Sequence, residues 1–130
     1  MIVIDASVAV EWLLRTSASV PIAHRILSPV ENLHAPHLLD IEVAQALRRC
    51  NFIGILDRQR ADAALQSFVT LRIQRYPHTP LLRRVWQLRD NLSAYDALYV
   101  ALAESLGATL LTRDRKLAAA PGHRARVQVI

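Results

Sequence analysis

Asp5, Glu42, Asp96 and Asp114 are the acids of this chain whose neighbours are wrong for an ordinary surface carboxylate. Asp5 ends the apolar run Ile2-Val3-Ile4, and Asp114 stands two residues beyond Leu110-Leu111-Thr112. Glu42 lies inside the largely apolar stretch Leu38 to Leu47, and Asp96 is embedded in SAYDALYVALAE. An acid in such a place must be hydrogen-bonded, paired or holding a cation, because burial disfavours its charge. If the four meet, each pair of carboxylates about 5 Å apart repels by roughly 3 kcal/mol at an effective dielectric near 20. Several such pairs would rival the whole stability of a small domain, about 5–15 kcal/mol. The cluster must then take up protons, recruit arginines or bind a cation. Oxygen donors alone, with no cysteine or histidine in the set, suit Mg2+ or Mn2+. Such ions activate water and stabilise charge on a phosphodiester. Arg48, Arg49, Arg113, Arg115 and Lys116, close to the acids in sequence, are the candidates to hold a nucleic-acid backbone.

The elements that must position these acids alternate between short β-like runs and amphipathic helices. Ile2 to Ile4 reads as a buried strand, and Ala6 to Arg15 as a helix with Val8 and Trp12 on its apolar face. Pro21 to Leu27 is a second helix, Leu33 to Ala35 a short strand, and Pro36 opens a helix running to about Arg49. Gly54 breaks the chain, and Asp57 caps a helix through Val69. Leu71 to Tyr76 alternates apolar and polar residues, as an exposed edge strand does. Leu81 to Arg89 is helical, and a further helix starts at Ser93 and stops at Gly107. Ala108 to Thr112 and Val127 to Ile130 are the last strands. Strands separated by helices predict an α/β, three-layer fold with a central, mostly parallel sheet flanked by helices.

Ligands of an open parallel sheet bind at the carboxyl edge of its strands. Asp5 emerges at that edge, and Glu42 lies in the upper turns of a helix that starts there. The helix from Ser93 descends roughly 20 Å at about 1.5 Å per residue, and the strand from Ala108 climbs back roughly 17 Å at about 3.3 Å per residue. Asp96 and Asp114 therefore return to one level, and all four carboxylates can share one edge.

The composition bounds the class of protein. A chain of 130 residues makes one domain, residues 1–130, and 52% hydrophobic with 21% charged residues excludes disorder. No apolar run approaches the roughly 18 residues of a membrane span, so no membrane partner is expected. Asp5 and Glu11 come too early for a signal peptide. Cys50 is the only cysteine, which leaves no intrachain disulfide and makes a cytoplasmic protein the expectation. The net charge of +5 favours a polyanionic partner, and all basic residues but Lys116 are arginines, the side chain best shaped for phosphate.

At these acids the chain resembles the PIN-domain family, and within it the VapC-type toxins of bacterial toxin–antitoxin pairs. The matching segments are VIDASV around Asp5, PHLLDIEVAQAL around Glu42, SAYDALYVALAE around Asp96 and LLTRDRKL around Asp114. They cover essentially the whole chain in the right order, and RDNLSAYDALYVALAE followed by LLTRD is especially similar to mycobacterial and actinobacterial members. The resemblance implies a Mg2+-dependent endoribonuclease with Asp5, Glu42, Asp96 and Asp114 as catalytic and metal-binding residues. It also implies RNA as substrate, a homodimer, and inhibition by a cognate VapB-type antitoxin encoded beside the toxin. Ser7 and Thr112 match positions that carry hydroxyls in many relatives, where they support the acids or a metal-bound water. Relatives often have a further acid or asparagine just past the Asp114 position; Arg115 and Lys116 stand there instead, so four acids are the full set.

Each feature also has a structural reading. Ser93 and Asp96 form the S-x-x-D pattern of a capping box. Asp5 fits a helix cap, Asp114 a turn, Asp40 a cap or solvent position, and Glu42 a partner for Arg48 or Arg49. His34 and His37 read as surface histidines, Tyr95 and Tyr99 as core or rim packing, and Trp12 and Trp86 as core anchors. The arginines between Arg72 and Arg89 read as a solvated face before an RNA track. Among rival functions, a phosphoacceptor receiver domain lacks its paired acids, because Ala6 follows Asp5. A phosphatase needing Asp-x-Asp meets Asp5-Ala6-Ser7 instead. A catalytically silent PIN-like protein-binding module is the remaining alternative, and the retention of all four acids argues against it.

Overall fold

A computed structural model describes all 130 residues. Five strands, Ile2–Ile4 (β1), Leu33–Pro36 (β2), Ile73–Tyr76 (β3), Thr109–Thr112 (β4) and Arg126–Val129 (β5), form one sheet in the order β3-β2-β1-β4-β5. Every pairing is parallel, so the sheet is wholly rather than mostly parallel. β1 lies at the centre; the chain winds outward to β3, then crosses back to the other flank. The seam between β1 and β4 is therefore the point where the winding reverses, the place at which open α/β sheets form their crevice.

Right-handed crossovers fix which face each helix covers. Ala6–Leu14 (α1), Ser19–Ile26 (α2), Leu38–Phe52 (α3) and Arg58–Thr70 (α4) serve the outward half and pack together in one layer. Leu82–Gln87 (α5) and Ala94–Leu106 (α6) belong to the return crossover and cover the opposite face, α6 lying across β1, β2 and β4. A last short helix, Arg115–Ala119 (α7), joins β4 to β5. α6 is buried continuously from Ala97 to Ala103, and its alanines let it lie close to the sheet. Gly107 ends it in the left-handed region at φ 62°, where a Cβ is penalised. No helix is long and apolar enough to cross a membrane.

Several expectations shift at the edges. Pro36 closes β2 rather than opening a helix: it pairs in register with Tyr76, and α3 begins two residues later at Leu38. Asp114 caps a short helix, α7, rather than standing in a turn; α7 is about one turn and a half long, too short for its residues to show a helical period. Trp86 is no core anchor. It is 68% exposed, with the Arg89 guanidinium over its ring at 4.8 Å, because α5 presents Val85 inward and turns Trp86 outward. Trp12 is half-buried against the core margin. His34 is not a surface residue: it is buried on β2, its Nδ1 2.8 Å from Tyr76 Oη of the neighbouring strand β3. Burial, helped by the chain-terminal ammonium, holds its imidazole below the usual histidine range. Asp40 pairs with Arg75, whose Nε lies 2.9 Å from its carboxylate, and so ties α3 to β3.

One ion pair joins α5 to α6. Arg84 of α5 donates Nε (2.7 Å) and Nη2 (3.0 Å) to Glu104 of α6, and the Arg124 N–H donates to the same carboxylate at 2.7 Å. The hydrogen bonds from Arg84 hold Glu104 below the usual carboxylate range. Its stabilisation is therefore full above the unfolded value near 4.5 and is lost as pH falls through the lowered folded value. Glu104→Gln should cost about 1–3 kcal/mol near neutrality. That deficit should shrink in urea melts repeated at pH values below about 4.5, where the unfolded chain takes up the proton. A deficit equal at both pH values would show that the charge contributes nothing.

Candidate active site

Asp5 is the fixed point of the site. It leaves β1 in an extended conformation and caps α1, its Oδ1 accepting from the Val8 N–H at 3.0 Å and from Ser7 Oγ at 2.6 Å. Its Oδ2 accepts from Thr112 Oγ1 of β4 at 2.5 Å, across the seam between β1 and β4. Both hydroxyls then accept in turn: Ser7 Oγ from the Arg113 N–H and Thr112 Oγ1 from the Asp114 N–H, each at 2.9 Å. The same two side chains thus hold the Asp5 carboxylate and pin the loop that bears Asp114. Burial raises the Asp5 carboxyl above its usual range despite these three hydrogen bonds, and Asp96 raises it further.

The other acids approach Asp5 from three elements. Glu42 faces inward from the second turn of α3, and its Oε1 accepts from Tyr99 Oη of α6 at 3.0 Å. Burial raises its carboxyl, and the charges of Asp5 and Asp96 add to the shift. Asp96 stands in the first turn of α6. Ser93 Oγ caps its N–H at 3.2 Å, but the Asp96 carboxylate returns no bond to the Ser93 N–H, so only half of a capping box forms. Burial raises Asp96 as well, followed by the charge of Asp114. Asp114 caps α7, its Oδ1 accepting from the Lys116 N–H at 2.8 Å, and is exposed at the rim. The chain of mutual shifts, Asp5 with Asp96, Glu42 with both, and Asp96 with Asp114, puts all four acids in one electrostatic neighbourhood at the carboxyl edge.

No cation of the chain neutralises them. Arg75 pairs with Asp40, Arg84 with Glu104, and Arg113 with Glu11 of α1 at 3.5 Å; none of the four acids has a salt bridge. Arg113, Arg115 and Lys116 do stand at the rim beside Asp114. Arg48 and Arg49 do not join them: they lie roughly 9 Å further along α3 than Glu42, and Arg48 covers the Phe52 ring at 4.4 Å. Glu42 therefore does not pair with either, and the structural reading of that residue fails.

As they stand, no three of the acidic, histidine and cysteine side chains form a closed cage for an ion. The donor chemistry nevertheless fits Mg2+, which keeps several of its waters and is held through one or two carboxylates, the rest acting across water. The uncompensated negative charge is what such an ion relieves.

Two participants escaped the sequence reading. Tyr99 was legible only as packing, though its position three residues after Asp96 puts the two on one helix face. Glu11, which takes up the Arg113 guanidinium, carries no local signal.

Residues 2–122 match the family model described as PIN domain. Ribonuclease VapC1 of Mycobacterium tuberculosis is 43% identical over 129 residues, covering 98% of this chain and 96% of its own. Ribonuclease VapC9 of the same organism is 46% identical over 120 residues, covering 90% and 88%. VapBC2 from Rickettsia felis, solved bound to a DNA fragment from their promoter, has a chain that superposes with a TM-score of 0.74. The superposition covers 99% of this chain and 98% of that one at 14% identity, a likeness of fold.

Proposed function

This chain belongs to the PIN-domain family, and from that premise we propose that it is a Mg2+-dependent endoribonuclease toxin restrained by a cognate antitoxin. The observation that carries the proposal is the cluster of four acids at the β1–β4 seam, three of them raised and none salt-bridged. The names of the relatives, ribonucleases VapC1 and VapC9, supply the substrate class.

Within this reading Mg2+, with Mn2+ as a substitute, supplies water activation and charge neutralisation on the phosphodiester when bound. The chain's own residues do the rest. Ser7, Thr112 and the Val8 N–H hold both oxygens of Asp5 in one orientation. Thr112 couples that orientation to the loop carrying Asp114. Asp96 and Glu42 close the seam from α6 and α3, and Arg113, Arg115 and Lys116 at the rim meet the phosphate backbone. Phosphate contacts of this kind position a strand without reading its sequence.

Ile41, Phe52, Ile53, Ile55, Leu65 and Val69 are exposed apolar residues on the α3–α4 pair, and this face is the proposed seat of the antitoxin. An arginine from the antitoxin can bridge two of the acids in place of the metal, since a guanidinium matches carboxylates bidentately. Purified protein should cut single-stranded RNA in Mg2+, and an equimolar amount of the antitoxin encoded beside it should stop cleavage. RNA left intact by the protein alone would refute the nuclease; undiminished cleavage by the co-purified pair would refute the masking.

A further inference from the structure

α3 and α6 carry Glu42 and Asp96, yet the two helices make little backbone contact. One side-chain hydrogen bond spans them, from Tyr99 Oη to Glu42 Oε1 at 3.0 Å. The Tyr99 ring is 2% exposed and packed within the core, so the position of its hydroxyl is set by packing. A phenol has one proton to donate, and Glu42 receives it. Glu42 Oε2 accepts from no donor of the chain, which leaves it as the oxygen open to a ligand.

Resting on the reading of these acids as a metal site, we propose that Tyr99 is a positioning residue. It holds the Glu42 carboxylate in one orientation with Oε2 unbonded, and so tunes the site toward small octahedral cations and against Ca2+. Ca2+ takes six to eight oxygens and favours bidentate carboxylates, whereas Mg2+ demands near-octahedral geometry with single-oxygen contacts. With Oε1 held by a hydroxyl that packing cannot withdraw, the Glu42 carboxylate keeps one orientation, and turning to meet Ca2+ through both oxygens would strain or break that hydrogen bond. Released from Tyr99, the carboxylate can turn and offer both.

Thermal-shift titrations with Mn2+, Mg2+ and Ca2+ test this on the intact protein, with no dependence on cleavage. Tyr99→Phe keeps the ring and removes only the hydroxyl. The Mn2+ and Mg2+ concentrations for half-maximal stabilisation should rise about tenfold, the lower end of the range for losing an outer partner of a metal ligand. The Ca2+ value should stay or fall, so that the preference for Mn2+ over Ca2+ narrows. Glu42→Asp, which keeps the charge but draws the carboxylate away from the hydroxyl, should narrow it in the same direction. On a Glu42→Ala background Tyr99→Phe should change nothing further. An unchanged preference in Tyr99→Phe, or the same loss on the Glu42→Ala background, overturns the role of Tyr99. A wild type that none of the cations stabilises overturns the metal reading beneath it.

Discussion

Chelation of divalent cations with EDTA is expected to lower RNA cleavage by this protein at least about a thousandfold, because metal-activated water and charge neutralisation are lost together. Its four acids supply only negative charge, and none of them has a salt bridge to a cation of the chain. In the proposed mechanism water rather than the 2′-hydroxyl is the nucleophile, so the products should carry 5′-phosphate and 3′-hydroxyl ends. Adding back Mn2+ should restore cleavage. Product ends can be read by ligation and by phosphatase sensitivity; 2′,3′-cyclic phosphates, or full activity in EDTA, would exclude the mechanism.

Asp96→Asn is the substitution with the largest expected consequence for the chain itself. Activity should fall by orders of magnitude, yet the metal-free protein should become more stable, by on the order of 1 kcal/mol once solvent screening is allowed for. Two observations favour this over the loss expected of a capping residue. Asp96 does not return the bond to the Ser93 N–H, so the cap made by Ser93 survives. Its carboxyl is raised by burial and then by Asp114, so neutralising it removes a cost. An acid with a raised folded pKa carries no penalty below its unfolded value and the full penalty above the folded one. The gain from Asp96→Asn should thus be largest near neutrality and fade toward about pH 4, the ordinary range of the group. Mg2+ should stabilise the mutant less than the wild type, since a ligand stabilises through its affinity for the native state. Thermal melts at two pH values, with and without Mg2+, measure all of this. A mutant less stable without metal that still gains the full wild-type increment would leave Asp96 as a helix cap.

Much of this was legible in the residues. Apolar runs at Ile2-Val3-Ile4 and Leu110-Leu111 name their own strands, because a strand buried on both faces must be apolar throughout. Ser93 and Gly107 bracket α6 through local cap chemistry. The gathering of the four acids followed from chain direction and element length, since a strand rising and a helix descending over similar distances return to one level. What failed was decided by neighbours distant in sequence. The side of α5 that faces the core turned Trp86 outward, the pairing of Pro36 with Tyr76 extended β2, and the buried His34 meets the Tyr76 hydroxyl of β3.

The sequence by itself determined the alternation of elements, the wound sheet and the edge on which Asp5, Glu42, Asp96 and Asp114 emerge, because these depend on periodicity, caps and the single hand of the crossover. Tertiary structure alone decided who holds the acids. Thr112 reaches Asp5 across 107 positions and Tyr99 reaches Glu42 across 57. Arg113 is drawn to Glu11, while Arg48 and Arg49 are carried down α3 and away from the site. A hydrogen bond is made by atoms about 3 Å apart, and the folded path of the whole chain sets that distance.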